Sequence, residues 1–397
     1  MNYNTLAQLV PQDAEGVLFD VGSLYARFVA IPDPRKRRGL RYALAVILVT
    51  MFLAKLAGQD TPEGIAAWVR LRTELFVGLF QLARARMPHA ATYRRVASHP
   101  AVVADLERVG QAFLLSAPGA GSSAQVTLDG KKLRGVAPTG DGLGTYLLAV
   151  FLPAEGLVLR QVAVAEKSNE IPAAPHALEG LDLQGKVVTA DALHTQRELS
   201  QVVVAAGADY VWIAKENQPA VRRDIVQLFQ PETCLPGTSP VITDLRLAAT
   251  TDKGHGRLET RRLTASSLLA ESSDWPHLAQ VFQLERTVTN LKTGERHTEV
   301  VYGLTSLSAA VAGPQRLLEL VRGHWGIESQ LHWRRDVLFH EDQTRTHSPL
   351  LGQAIACLNN LILGLAWRLG WRNLAQARRH FDAHPDQALR AVMTRLA

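Results

Sequence analysis

Cysteine is almost missing from this chain: two in 397 residues, Cys234 and Cys357, with no CxxC pair. That excludes a disulfide framework and the common structural zinc sites, and it fits a reducing cytosol. A membrane-length apolar run is not found where the sequence comes nearest to one. Tyr42 to Ala54, YALAVILVTMFLA, carries no charge and follows Arg35, Lys36, Arg37, Arg38 and Arg41, which imitates a positive-inside flank. It is nevertheless far shorter than the roughly 20 residues a span needs, and Lys55 ends it. A buried core helix explains it better. The N-terminal stretch MNYNTLAQLVPQDAEG has no basic n-region and no apolar h-region, so no secretory signal is expected. What is present is an ordinary globular composition, 47% hydrophobic and 20% charged, with 43 basic against 37 acidic residues. The net charge of +6 favours an anionic partner, of which nucleic acid is the commonest.

The pattern divides the chain into four regions. Residues 1–118 read as helical. Thr61-Pro62-Glu63 is a helix start, with a capping hydroxyl, Pro in the first turn and an acid at the dipole. Helical spacing then runs from Ile65 to Leu79, and again from Ala101 to Leu115. Between them, Pro88 breaks the pattern and Thr92 to Ser98 reads as a short helix carrying Arg94 and Arg95. That suggests a helix-turn-helix-like DNA reader, or simply a solvated basic helix. The Gly/Ser-rich APGAGSSA, Ala117 to Ala124, marks a boundary.

Residues 119–225 change period. AQVTLDG, TYLLAVFLP and LVLRQVAVAE read as consecutive strands. A helical stretch, Ile171 to Leu181, follows, then the buried-type strand GKVVTAD, a helix from Gln196 to Ala206, and the strand DYVWIAK. The order is that of a mixed α/β sheet. Residues 226–312 read as a β-rich insertion, with VFQLERTVT and HTEVVYGLT flanking the turn NLKTGER. Residues 313–397 are helical.

Asp129 ends the first strand and Asp191 ends the strand after the first crossover. Ligands collect at the carboxyl ends of strands in such sheets, so the two acids should converge. A third acid is expected in LVRGHWGIESQLHWRRDVLFHED, Leu320 to Asp342. Read as one α-helix, this puts His324, Glu328, Leu331 and Arg335 on a shared face. Crowded carboxylates repel each other, and Mg²⁺, which prefers oxygen ligands, would offset that. Two such ions suit phosphoryl transfer. Lys131, Lys132 and Arg134, beside Asp129, would then grip a phosphodiester backbone.

The blocks LDGKKLRG, EKSNEI, TADALHTQ, AKENQ, KGHGRLETRR and GHWGIESQLHWRRDVLFHED occur in that order. With PDPRKRRGLRY and MPHAATYRRV before them, they resemble the DDE transposases, most closely the H-repeat-associated insertion-sequence family, over nearly the whole chain. The resemblance implies an RNase H-like mixed sheet with helices on both faces, an N-terminal helical domain, and a β-rich insertion between the second and third acids. It also implies catalytic Asp129, Asp191 and Glu328, and Mg²⁺ or Mn²⁺, two ions per site. Ser329 departs from the Asn expected after the glutamate. The partners expected are double-stranded DNA and a second copy of the chain, with no membrane, in a bacterial cytoplasm. A nuclease without strand transfer, or an inactive DNA-binding descendant, are the alternatives.

The supporting residues each have two readings. His194 and Gln196 orient phosphate or cap the next helix. Lys215, Asn217 and Gln218 meet DNA or form a surface turn. His324 and Glu328 at i,i+4 have no third soft ligand, which argues against zinc, and His324 is expected beside DNA with Arg335, which should meet phosphate. Asp336 and the His340-Glu341-Asp342 run offer a replacement acid. Trp325 reads as core rather than as a stacking platform. His255, Arg257, Arg261 and Arg262 in the insertion either touch DNA or decorate a polar hairpin. In the first region, Arg35, Lys36, Arg37 and Arg38 are expected to act through phosphates, and Arg94 and Arg95 through base recognition.

Overall fold

The structure is a computed structural model that describes residues 19–36, 40–136, 145–164, 170–230, 244–254 and 256–396. Arg37, Arg38, His255, Cys234 and most of EKSNEI lie outside the described residues. The chain forms two compact units. The first is built from Met1–Ser122, Gly130–Ser168 and Glu328–Ala397, the second from Ser123–Asp129 and Asn169–Ile327. Units of packing therefore do not follow the linear boundaries at 118 and 312.

In the first unit the chain begins with α1 (Leu24–Val29), α2 (Leu44–Leu56), α3 (Pro62–Arg70), α4 (Thr73–Leu79), α5 (Ala90–Ala97) and α6 (Pro100–Leu115). All thirteen residues of α2 are buried, so the uncharged run is a core helix, as its length requires. Thr61 caps α3 through Gly64 N, with Pro62 in the first turn. The helical spacing from Ile65 to Leu79 is divided between α3 and α4. At the break, the Thr73 hydroxyl donates to Arg70 O at 2.6 Å, and the Arg72 guanidinium turns back over the Trp68 ring, 4.0 Å from its centroid.

Strand β1 (Gln125–Leu133) passes from the second unit into the first between Asp129 and Gly130. β2 (Thr145–Leu152) and β3 (Leu157–Val164) pair antiparallel in the first unit. The second unit continues with α7 (Ala173–Leu178), β4 (Val187–Ala190), α8 (Arg197–Ala205), β5 (Asp209–Ala214) and α9 (Pro219–Phe229). Then come β6 (Arg246–Gly254), β7 (Arg257–Ser266), β8 (Gln280–Asn290), β9 (Arg296–Thr305) and α10 (Pro314–His324). Its strand order is β1-β4-β5-β9-β8-β7-β6. β1, β4 and β5 are parallel, and β9 pairs antiparallel with β5, Val211 opposite Thr305. The β-rich insertion thus extends the same sheet. Its strands offer β5 an edge that would otherwise be unpaired.

Strand alternation sorts the two faces of this sheet. Val187 and Val211 point to one side and pack with Leu317, Leu318, Leu320 and Val321 of α10. Tyr210 and Trp212 point to the other, where the Trp212 indole N–H donates to Ser200 of α8 at 3.0 Å. Helices therefore cover both faces.

The first unit resumes after Ile327 with α11 (Trp333–Leu338), α12 (Pro349–Arg368), α13 (Leu374–Ala383) and α14 (Pro385–Met393). α12 is long and apolar enough to cross a membrane by length and composition, but 83% of its apolar window is buried inside the protein. It packs on α6, α2, α5 and β3. The N-terminal helices and the C-terminal helices thus share one core.

Inside that core lies a small charge cluster. Asp60 meets Lys55 at 3.5 Å and Arg378 at 2.6 Å, and the Lys55 side chain is fully buried. Burial pushes the Lys55 ammonium down from its ordinary range, with Asp60 opposing the shift. Removing Asp60 would leave two desolvated cations uncompensated. Asp60→Ala should therefore destabilise the protein by roughly 3–5 kcal/mol, read as a lower urea midpoint with unchanged slope.

Candidate active site

The second unit brings its two acids together by register. β1 and β4 pair in parallel from Gln125↔Val187 to Leu128↔Ala190. Asp129 and Asp191 are the next residues after the last pair. β4 ends there, so Asp191 is at its carboxyl end, whereas β1 continues to Leu133 and Asp129 lies within it rather than closing it as expected. Both lie on the face of Thr127 and Thr189, whose hydroxyls are 3.2 Å apart. On this face the Gln125 amide donates to Thr189 Oγ1 at 3.1 Å and to Leu320 O of α10 at 2.8 Å. α10 comes so close that a Cβ at Gly323 would lie 2.1 Å from Gln125 Oε1. Glycine is required there by contact, not by turn geometry.

Asp191 is exposed and also caps the short 3₁₀ turn Ala192–His194, accepting from Leu193 N at 3.0 Å. His324, at the end of α10, is held down to about 4 by burial, with Asp191 pulling it up and His194 pushing it further down. It is therefore a neutral imidazole at pH 7.

Several residues expected to meet DNA instead brace this edge. His194 is fully buried, with Nε2 3.5 Å from Glu170. Its site in the interior overturns the phosphate-orienting reading. Asn217 donates to Ala192 O at 2.6 Å, and Gln218 to Thr195 O at 2.9 Å and to Gln196 Oε1 at 3.3 Å. Together they tie the segment after β5 to the segment that follows Asp191. Lys215 is exposed. The bracing roles of Thr127, Thr189, Gln125, Thr195 and Glu170 are not visible in the sequence, because their partners are distant in the chain. Of these, Glu170 lies in the EKSNEI motif and Thr189 and Thr195 in TADALHTQ, which is the one local signal they carry.

The third acid is on different backbone from that expected. α10 ends at His324, and Ile327–His332 is a π-helical turn before α11 begins. A π turn holds more residues per turn than an α-helix, so the α-helical spacing that put Glu328 and Arg335 on one face does not hold: Glu328 is exposed and Arg335 is buried. Such turns are frequent at functional sites. Glu328 is exposed on this turn. Trp325, expected in the core, is 68% exposed.

In the first unit the cations following Asp129 are largely committed. Lys131 is buried and holds Asp336 at 2.5 Å and Asp342 at 3.4 Å. Burial pushes the Asp336 carboxyl up against the pull of Lys131. Lys132 sits over the Tyr146 ring, 5.3 Å from its centroid. Arg134 alone of the three is largely exposed, with Asp342 at 3.7 Å. Arg335 has no exposed surface. It pairs with buried Glu341 at 2.7 Å and donates to Gln161 at 3.0 Å, while Asn359 and Asn360 complete the network at 2.8 and 3.0 Å. A guanidinium so enclosed cannot reach phosphate, which corrects that expectation. Glu341 is equally spoken for and does not serve as a replacement acid. His332 is buried and pushed down to about 3 by burial, then by Arg335 and Lys131. Among the N-terminal cations, Arg35 pairs with Asp33 at 2.6 Å, Arg94 with Glu63, and Arg95 returns to Ala91 O at 3.2 Å.

A mixed sheet clothed by helices, with carboxylates just past the paired segments of adjacent parallel strands, fits an RNase H-like core of the DDE type. The chain belongs to that family. It matches the "Transposase DDE domain" over residues 118–364 and "DDE_Tnp_1-associated" over residues 25–112. It is similar to the protein named "Putative transposase YncI" of Escherichia coli O157:H7, 26% identical with 87% of each chain covered. A Xanthobacter autotrophicus protein from the dhlA 3′ region is 32% identical over 65% of this chain and 86% of its own. The "H repeat-associated putative transposase YhhI" of Escherichia coli K12 is 27% identical over 55% of this chain and 58% of its own. Among solved structures, a piggyBac transposase synaptic complex with hairpin DNA gives a TM-score of 0.41 at 13% identity, covering 94% of this chain and 77% of that one.

The Arg335 network also reaches Glu107 of α6, which accepts from Gln161 at 3.0 Å. Burial pushes the Glu107 carboxyl up from 4.5 to about 7, with Gln161 and Arg335 opposing. The folded state thus holds this proton more tightly than the unfolded chain. Its contribution to stability falls as pH rises from about 4.5 through 7 and is at its worst above that. Glu107→Gln should therefore stabilise the protein at pH 8 by up to about 3 kcal/mol and change little near pH 4.5. Urea midpoints of both proteins at the two pH values check this.

Proposed function

We propose that this transposase is active, and that it cleaves the phosphodiester at the ends of an insertion sequence and transfers the freed 3′-hydroxyl to target DNA. The catalytic acids are Asp129, Asp191 and Glu328. The observation that supports this most is the β1–β4 register, which leaves two carboxylates on one face directly after the paired segments of two parallel strands.

The donor set fits a hard divalent cation. Carboxylate oxygens are the ligands Mg²⁺ and Mn²⁺ prefer, and the nearby His324 is neutral, so it adds no competing positive charge. Asp129, Asp191 and Glu328 would hold two such ions. When bound, these would activate the attacking oxygen and stabilise the leaving one. The protein's own residues do the rest. The Thr127–Thr189–Gln125 hydrogen bonds hold the two strand ends in register. Asn217 and Gln218 restrain the turn that follows Asp191. Arg134 and Lys215, both exposed, contact backbone phosphate. Arg35, Lys36, Arg94 and Arg95 supply affinity for the element's end from the N-terminal helices. The enzyme acts on double-stranded DNA in the cytoplasm as a homodimer.

Asp129→Ala, Asp191→Asn and Glu328→Gln should each abolish Mg²⁺-dependent strand cleavage while leaving DNA affinity within a few-fold of wild type. A gel assay of nicking and joining on labelled ends, beside a binding titration, measures both. Cleavage by Glu328→Gln at near wild-type rate would assign the third acid elsewhere. Nicking without joining would leave a nuclease.

In the absence of DNA, Mg²⁺ or Mn²⁺ at concentrations well above the dissociation constant should raise the melting temperature of the wild type through preferential binding to the folded state. Asp191→Asn should lose most of that response and, by relieving repulsion, melt no lower than metal-free wild type. Melting curves with and without ion separate the two.

A further inference from the structure

Trp367, in the last turn of α12, is half-buried in the first unit. The β2–β3 turn lies flat on its ring. Gly156 there has φ +61, and a Cβ would stand 2.9 Å from Trp367 Cδ2. Two guanidiniums also gather at this indole. The Arg372 carbon Cζ is 4.2 Å from the ring centroid and that of Arg334 is 5.7 Å. The neighbouring Arg368 is neutralised by Glu155 at 2.7 Å. Among the described residues, neither Arg334 nor Arg372 enters an ion pair. Arg334 titrates below its ordinary value, first because it is partly buried and then because Arg372 repels it.

Two like charges are therefore held at one aromatic platform with no ion-paired acid among the described residues. A cation–π contact at a partly exposed site is weak compensation for that repulsion. A guanidinium held beside an aromatic ring still has N–H groups to donate, and the guanidinium fork matches phosphate bidentately. The surrounding sequence carries the same sign. Residues 365–397 contain six arginines, two aspartates and neither lysine nor glutamate. Trp333, next to Arg334, is 52% exposed, so this stretch of α11 meets solvent.

We propose that Arg334 and Arg372, braced by Trp367, form a clamp for the phosphates of a DNA backbone. The choice of DNA over another phosphate ligand rests on the transposase reading. The clamp itself rests on the paired, uncompensated arginines. It would fix the position of a strand relative to α11, the helix that begins where the Glu328-bearing π turn ends.

The test uses the full-length protein, EDTA and a random-sequence duplex, with anisotropy titrations at several NaCl concentrations. R334Q/R372Q should lower the slope of log affinity against log salt by roughly 1.8, that is about 0.9 for each phosphate no longer neutralised. Its melting temperature should not fall, because repulsion is relieved. W367L keeps both charges but removes their platform and should weaken binding at every salt concentration. An unchanged slope in R334Q/R372Q would overturn the proposal. So would an unchanged DNA slope combined with lost binding to phosphatidylserine vesicles, which would assign the pair to a lipid surface. Cleavage is scored separately with Mg²⁺. A reduced slope in a protein that never cuts DNA refutes only the catalytic reading, and an unmoved slope in one that cuts refutes only the clamp.

Discussion

The parallel pairing of β1 with β4 is the interaction on which the proposed chemistry of this protein depends. Over four residue pairs it commits Val126, Leu128, Val188 and Ala190 to one face, and Thr127 and Thr189 to the other. The two threonine hydroxyls meet, and Gln125 ties the same face to the end of α10. Two acids that each follow the last pair must then emerge side by side. A slip of one residue would turn Asp191 to the opposite face, toward the side where α8 packs, and would bury a carboxylate without a partner. Parallel strands cannot be joined by a tight turn, so the long excursion between Asp129 and Asp191 is a consequence of this pairing.

The handling of charge in the first unit follows a different constraint. A cation taken out of water needs an acid or a dense set of acceptors. Lys131 has Asp336 and Asp342, Arg335 has Glu341 and Gln161, and Arg378 has Asp60. These residues come from separate parts of the chain, so the ion pairs also fasten β1, β3, α2, α11 and α13 into one core. Basic residues next to Asp129 are thus structural where they are buried. Arg134 and Arg372 are among the cations that remain exposed.

Much of the fold could be read from pattern. Apolar, β-branched runs between Gly-rich turns mark β1 to β5, and an uncharged run too short for a bilayer marks α2. Asp129 and Asp191 stand out because each closes such a run. The environment of the third acid was not legible. Whether Ile327–His332 winds as α or π depends on what α10 and α11 must each pack against, and no residue type signals it. The exposure of Trp325 and the enclosure of Arg335 have the same origin. Arg335 has one partner, Glu341, six residues on, but Gln161 is 174 residues away.

The sequence by itself determined the order of the strands along the chain, the two aspartates that close apolar runs, and the motif series of the DDE family. These are local properties, written in the period of apolar residues and in the turns that interrupt it. Only the tertiary structure decided which cations face solvent and which stabilise the interior, that β9 extends the sheet beyond β5, and that N-terminal and C-terminal helices share one core. Those outcomes turn on desolvation and close packing between segments far apart in the chain, and neither quantity exists until the segments meet.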